Sequence, residues 1–238
     1  MRKFFIIAFS VLLIGCSKNV QHHKDIYSKI QPLDLTLKTT DSSLINNFKQ
    51  AKLLADSMIV TIFDSDTILS QFNIRYGFLY DNWMKSPADS LVGKPEKYEF
   101  LYNLKLNDDT ILTSASIEID TLNRILACDF PMFIGLKKIN NRELKIDQAF
   151  AKTIGLENGL SSDKLIILFR NKRIDEKSMP NIPNSFRLKE FKTYLNYIQD
   201  MKYMFYWYVK NDCNDCPWIM VDAETGQIFD KGKVRYIY

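Results

Sequence analysis

No histidine follows His23 in this 238-residue chain. That absence excludes a Ser-His or Cys-His pair from everything downstream, and it leaves zinc short of the four ligands it needs. No Gly-rich phosphate loop and no metalloprotease helix motif occurs either. The carboxylate pairs Asp108-Asp109 and Asp64 with Asp66 sit in turn contexts, where solvated turns account for them. Glycine and proline are sparse, at eight and seven residues, and hydrophobic residues make up 46% of the chain with 13% aromatic. Disorder and low complexity are therefore excluded for the bulk of it. Charge of neither sign is clustered: 32 basic residues face 28 acidic ones, without the concentrated basic face of a nucleic-acid binder. Long apolar runs are lacking too. Phe4 to Ile14, interrupted by Ser10, falls short of the ~20 residues a membrane span requires.

What stands at the beginning is informative. Arg2 and Lys3 precede that apolar run, and Leu13-Ile14-Gly15-Cys16 closes it. The segment resembles a bacterial lipoprotein signal, with LIGC in the place of the lipobox. The resemblance implies removal of residues 1–15 and acylation of Cys16, palmitate included, so that the protein is tethered to a lipid bilayer outside the cytoplasm. Ser17 stands where an acidic residue would resemble an inner-membrane retention signal, and no acidic run follows the Cys. The expectation is an outer-membrane anchor with a periplasm-facing body. Residues 16–43 are polar and read as a tether.

Two modules follow, 44–140 and 141–238, in an α+β fold: two small helix-plus-antiparallel-sheet units with the marks of a tandem duplication. Leu44, Phe48, Ala51, Ala55 and Met58 lie on one helical face, with Asp41 or Ser42 as cap. Tyr98, Phe100, Tyr102, Leu104 and Leu106 alternate as a strand, Asn107 to Thr110 supplies a turn, and Ala115, Ile117 and Ile119 alternate on the return. In the second module Asp147 caps a helix with Phe150, Ala151 and Ile154 on its face, and Gly155 is expected to stop it. Leu165 to Phe169 reads as a strand and Arg170 to Arg187 as a polar excursion. Leu188, Phe191, Leu195 and Ile198 take helical spacing, Tyr203 to Val209 is a buried strand, and a hairpin leads into Trp218 to Asp222. The stretch from Ile59 to Trp83 has no decisive pattern.

Ser116 to Leu126 aligns without a gap on Trp218 to Ile228 at an offset of 102, with Ile119-Asp120 on Val221-Asp222. The strand Tyr206-Trp207-Tyr208-Val209, the strand Ile219-Met220-Val221 and the turn Asp222-Ala223-Glu224-Thr225-Gly226 together resemble a PepSY-type domain, the helix-and-sheet module of secreted metalloprotease propeptides. The resemblance covers residues 147–232 best and 44–126 more faintly. It departs from the family pattern in the insertion from Asn171 to Asp200 and at Arg124, which stands opposite Gly226. It implies a non-catalytic binding or inhibitory role toward an envelope protein such as a peptidase, with no catalytic residue to carry over and no cofactor. Asp222, Thr225 and Gly226 are read as structural: carboxylate and hydroxyl accept turn N–H groups, and glycine takes the positive φ.

Cys213-Asn-Asp-Cys216 is the other chemical feature. In an oxidising compartment the pair is expected to close a disulfide worth only ~2 kcal/mol, which stiffens a hairpin tip. A thiol-redox or metal-handling role is the alternative function, and an immunity-type partner protein is a second one. Cys128 has no sequence neighbour and reads as a small buried hydrophobe.

Overall fold

The computed structural model describes residues 42–80, 83–85, 95–106, 109–163, 165–175 and 183–234, all within one compact unit, Leu37–Tyr238. The signal and tether, Cys16, His22, His23 and Asp41 lie outside the described residues, as do Asn107 and Asp108. The elements run α1 (Ser42–Phe63), a short 3-10 turn (Ile68–Gln71), β1 (Phe72–Tyr80), β2 (Trp83–Lys85), β3 (Lys97–Leu106), β4 (Asp109–Asp120) and β5 (Ile125–Cys128). Then come α2 (Phe130–Asn140), α3 (Gln148–Glu157), β6 (Leu165–Arg173), α4 (Leu188–Gln199), β7 (Tyr203–Asn211), β8 (Pro217–Asp222) and β9 (Ile228–Lys233). The fold is α+β. Its two antiparallel sheets are ordered β2-β1-β3-β4-β5 and β6-β7-β8-β9.

Each module has one plan: a helix, a strand, an inserted segment, then a three-stranded meander. α1 packs Phe48, Ala51, Ala55 and Met58, all fully buried, against the first sheet. Phe48 lies within 5.0–5.6 Å of the Phe78, Tyr98 and Phe100 rings. Tyr98, Phe100, Tyr102 and Leu104 are likewise buried and alternate with half-exposed Glu99 and Leu101, buried but polar Asn103 and exposed Lys105, at a period of two. In the second sheet Phe169, Trp207, Val209 and Val221 occupy the inner face.

The repeat extends to backbone irregularities. β4 and β5 shift register between Glu118 and Ile119, and β8 and β9 shift between Met220 and Val221, at the same offset of 102. Tyr98 pairs with Ile119 and Trp207 with Val221, so these two large buried rings hold equivalent places. Tyr98 Oη donates to Asn47 Oδ1, and Asn47 Nδ2 donates to the Thr121 carbonyl. In the second module Trp207 Nε1 donates to the Ile146 carbonyl, and Ile146 N–H donates to the carbonyl of Ala223. Each module thus ties its ring and its turn to the region where its helix begins.

The structure corrects several expectations. The gap-free alignment fails after the turn, because Ile119 pairs with Ile125 whereas Val221 pairs with Ile228, making the second turn one residue longer. The left-handed position of the first turn falls on Asn123, φ 57°, and that of the second on Gly226, φ 78°. Arg124 opposite Gly226 is therefore no defect, since asparagine tolerates this conformation one place earlier. Gly155 does not stop its helix. It is buried inside α3, where a Cβ would come within 2.9 Å of Val209, and Gly159 at φ 88° ends the helix instead. Leu160 N–H bonds to the Gly155 carbonyl and Gly159 N–H to that of Leu156, the paired bonds of a glycine-terminated helix. Phe150 is 53% exposed, because α3 meets the sheet through its smallest residues, Ala151 and Gly155. Asp109 and Thr110 belong to β4 rather than to a turn, and β6 runs on to Arg173 because β7 pairs with it as far as Tyr203.

The unassigned stretch from Ile59 to Trp83 holds the end of α1, the 3-10 turn and β1. α2, which no sequence pattern indicated, packs Phe133 against Tyr102, and its Gly135 lies directly under Phe205 and Phe169. Thr113 Oγ1 donates to the Phe169 carbonyl at 2.6 Å. The two sheets therefore share a core.

Candidate functional site

Cys213 and Cys216 are joined by a disulfide in the connection between β7 and β8. Asp215 N–H bonds to the Val234 carbonyl and Val234 N–H to that of Cys216, so the closed tip is tied to the end of β9. Neither sulfur sits at a helix N-terminus, the position that would depress a thiol pKa. Asp222 Oδ1 accepts the N–H groups of Glu224 and Thr225, and Thr225 Oγ1 accepts that of Gln227. These contacts account for the turn through local backbone bonding.

Ionisable groups within the core are spent on one another. Lys52 and Asp56 form an ion pair one helical turn apart on α1, and Tyr102 Oη donates to Asp56 at 2.8 Å. Burial holds the Lys52 ammonium below its ordinary pKa, against the pull of Asp56, and pushes the Tyr102 phenol well up. The Cys128 thiol is raised well above its usual value by burial and then by Asp129, which makes it a poor nucleophile. Asp129 caps α2 through Met132 N–H, and its carboxyl is raised by burial, with that bond and Arg170 opposing. Among the described residues no group of three or more metal-ligating side chains comes together, and no helix is long and apolar enough to cross a membrane.

The feature without a structural explanation is the outer face of the second sheet. β7 points Phe205, Trp207 and Val209 inward and Tyr206, Tyr208 and Lys210 outward. Across the strands Leu168, Tyr208 and Met220 form one row, and Ile166, Lys210, Trp218 and Gly232 the next. Tyr208 and Trp218 approach to 5.5 Å between ring centroids, and Tyr206 and Phe229 to 5.3 Å, edge to face. Trp218 rests on Gly232: a Cβ there would come within 2.7 Å of the indole. Bare backbone on the edge strand is what lets the ring lie down. Tyr206, Tyr208, Trp218 and Met220 stay half-exposed, and Phe229 is 41% exposed.

The first module shows that this surface is not a requirement of the fold. By strand register, Lys97 holds the place of Tyr206, Glu99 that of Tyr208, Ser116 that of Trp218 and Glu118 that of Met220. There Lys97 pairs with Glu118 and the Glu99 carboxyl is raised by burial and by Glu118 opposite, while Leu101 holds the place of Lys210.

No family model matches the chain, and neither a curated protein nor a solved structure shows significant similarity to it. The sequence-based site residues divide accordingly. Cys213, Cys216, Asp222, Thr225 and Gly226 fall at the two ends of β8, where they shape hairpins, and Cys16 is outside the described residues. Reading Tyr203 to Val209 as a buried strand misses the platform, since Tyr206 and Tyr208 are half-exposed. The available signal was Tyr206 and Tyr208 at a spacing of two, together with Trp218 and Phe229 on the neighbouring strands.

Proposed function

We propose that this chain is a lipid-anchored extracytoplasmic protein that works by binding, without catalysis, through the outer face of its second, PepSY-like sheet. One observation carries the reading: at matched positions of one repeated fold, the second module replaces Lys97, Glu99, Ser116 and Glu118 by Tyr206, Tyr208, Trp218 and Met220. An exposed aromatic cluster that the fold does not need is the usual sign of an interaction surface. The LIGC sequence supports the anchor, Ser17 at the next position favours an outer membrane, and the lack of an acidic run after Cys16 favours its periplasmic face. Inhibition or escort of an envelope peptidase is the role that the PepSY resemblance suggests. The thiol-redox alternative draws less support, because the Cys213–Cys216 pair lies at a hairpin tip rather than at a helix start.

The decisive experiment transplants the first module's residues onto the second. Tyr208→Glu with Trp218→Ser is expected to leave the thermal midpoint within a few degrees of the native protein. A photo-crosslinker placed at residue 206 should capture its contact in native envelopes and lose it in that double variant. The same crosslinker at Glu99 should capture nothing in either. Equal capture from both sheets, or a double variant that still crosslinks, would overturn the binding-face reading. Loss of acyl label in Cys16→Ser tests the anchor separately.

A further inference from the structure

We infer that the surface contacted by this aromatic face is an anionic lipid bilayer, on which the second module lies flat. The inference rests on the proposed anchor and binding face and names their common partner. Charge is its first support. By strand register the aromatic face carries Arg170, Lys172 and Lys210 against Asp222 and Asp230, while Arg173, Lys231 and Lys233 alternate onto the other side. Both carboxylates already accept backbone N–H groups, Asp222 in its turn and Asp230 from Lys231. Arg173 is engaged by Asp175, and Lys210 lies 3.9 Å from Asp212. Arg170 and Lys172 are exposed on β6, on the same face as the rings, with Asp129 in electrostatic reach of Arg170.

Chemistry is the second support. Tyrosine and tryptophan carry an apolar body and a polar tip, the combination that settles at the headgroup level of a bilayer, and cations beside them meet lipid phosphates. Tyr206, Tyr208 and Trp218 present rings partly covered by one another, with Phe229 and Met220 between them as the purely apolar elements. That composition suits an interface better than a dry protein groove, which would be expected to bury its anchors in a pocket.

Chain length is the third support. Residues 17–41 join Cys16 to the start of α1. At about 3.3–3.6 Å per extended residue, a segment of that length reaches at most on the order of 80–90 Å. An anchor of that reach keeps the body near the bilayer and leaves any face free to turn to it. A weak surface contact is then intramolecular and is favoured by the high effective concentration of the lipid.

The test uses the mature acylated protein and vesicles of brominated phosphatidylcholine, with and without phosphatidylglycerol. Flotation on the neutral vesicles reads the acyl anchor. Quenching of tryptophan fluorescence by the brominated chains reads the face, and the part that disappears in Trp218→Phe belongs to Trp218. The expected result is flotation on both vesicles, with Trp218 quenched only when phosphatidylglycerol is present. Arg170→Gln with Lys172→Gln should weaken that quenching about fivefold per charge removed. Gly232→Ala, which displaces the indole from its seat, should reduce quenching without changing flotation.

Flotation on both vesicles with Trp218 equally unquenched would overturn the lipid face and leave the anchor standing. Quenching that is indifferent to phosphatidylglycerol or to Arg170 and Lys172 would overturn it as well. Failure to float on neutral vesicles, with flotation and quenching on anionic ones, would overturn the anchor and keep the face.

Discussion

The two modules share strand order, bulge position and the tie between ring, turn and helix, yet they place polarity in opposite layers. The first buries charge, with Lys52, Asp56 and Tyr102 inside, and has Lys97, Glu99, Ser116 and Glu118 where the second has its outward rings and Met220. The second has an apolar inner face around Trp207 and Phe169 and turns aromatic rings outward. A common backbone therefore constrains the inner rows in size and the outer rows hardly at all. What differs between the outer rows is open to function.

The largest effect expected from breaking this contrast is in the first core. Lys52→Met leaves the Asp56 carboxylate buried with the Tyr102 hydroxyl, and its loss should be about 3–5 kcal/mol in urea unfolding. Lys52→Met, Asp56→Leu and Tyr102→Phe together make this core resemble that of the second module, and should recover most of the loss. If the triple variant is no more stable than the single one, the ion pair is not a separable element of the core.

The turns sharpen the comparison at a smaller scale. Gly226→Ala forces an L side chain to φ 78° and brings its Cβ to 3.0 Å from Ile146, which should cost about 1–3 kcal/mol. Asn123→Gly, at the corresponding left-handed position of the first turn, should be neutral to within ~1 kcal/mol by thermal denaturation. Comparable losses at both would mean that the Asn123 side chain, which donates to Gln50, matters more than its φ.

The smallest effect lies at the joint between the modules. Asp129 ends the first meander and faces Arg170 of the second, and burial raises its pKa. A carboxyl whose folded pKa exceeds its unfolded one binds its proton more tightly when folded. Its charged form therefore penalises stability above the folded pKa, and the penalty vanishes as pH falls below the ordinary value of ~3.9. Asp129→Asn keeps the α2 cap and should raise the midpoint at neutral pH, with the gain closing on acidification. A gain of equal size at all pH values would trace to packing instead of ionisation.

Much of the fold was legible because the first half of α1, most of β3, β4 and α4 each have one wet face, so hydrophobic periodicity reported them. α2 escaped because Phe130, Met132, Phe133, Leu136 and Ile139 are buried between several elements, leaving no clean polar stripe to count. Gly155 misled for a related reason. A glycine near a helix end reads as a stop, yet this one is needed where Val209 presses on the helix, and only the packed neighbour reveals that.

The sequence by itself determined the alternation of helix and strand, the places of the turns and the spacing that lets Cys213 meet Cys216, because these depend on contacts a few residues apart. Tertiary structure alone decided which of two aromatic faces of β7 is covered. Tyr206 and Trp207 are equally apolar in a strand read alone. The face that receives α2 and α3 becomes core, and the other, seated at its edge on Gly232, is left for a partner.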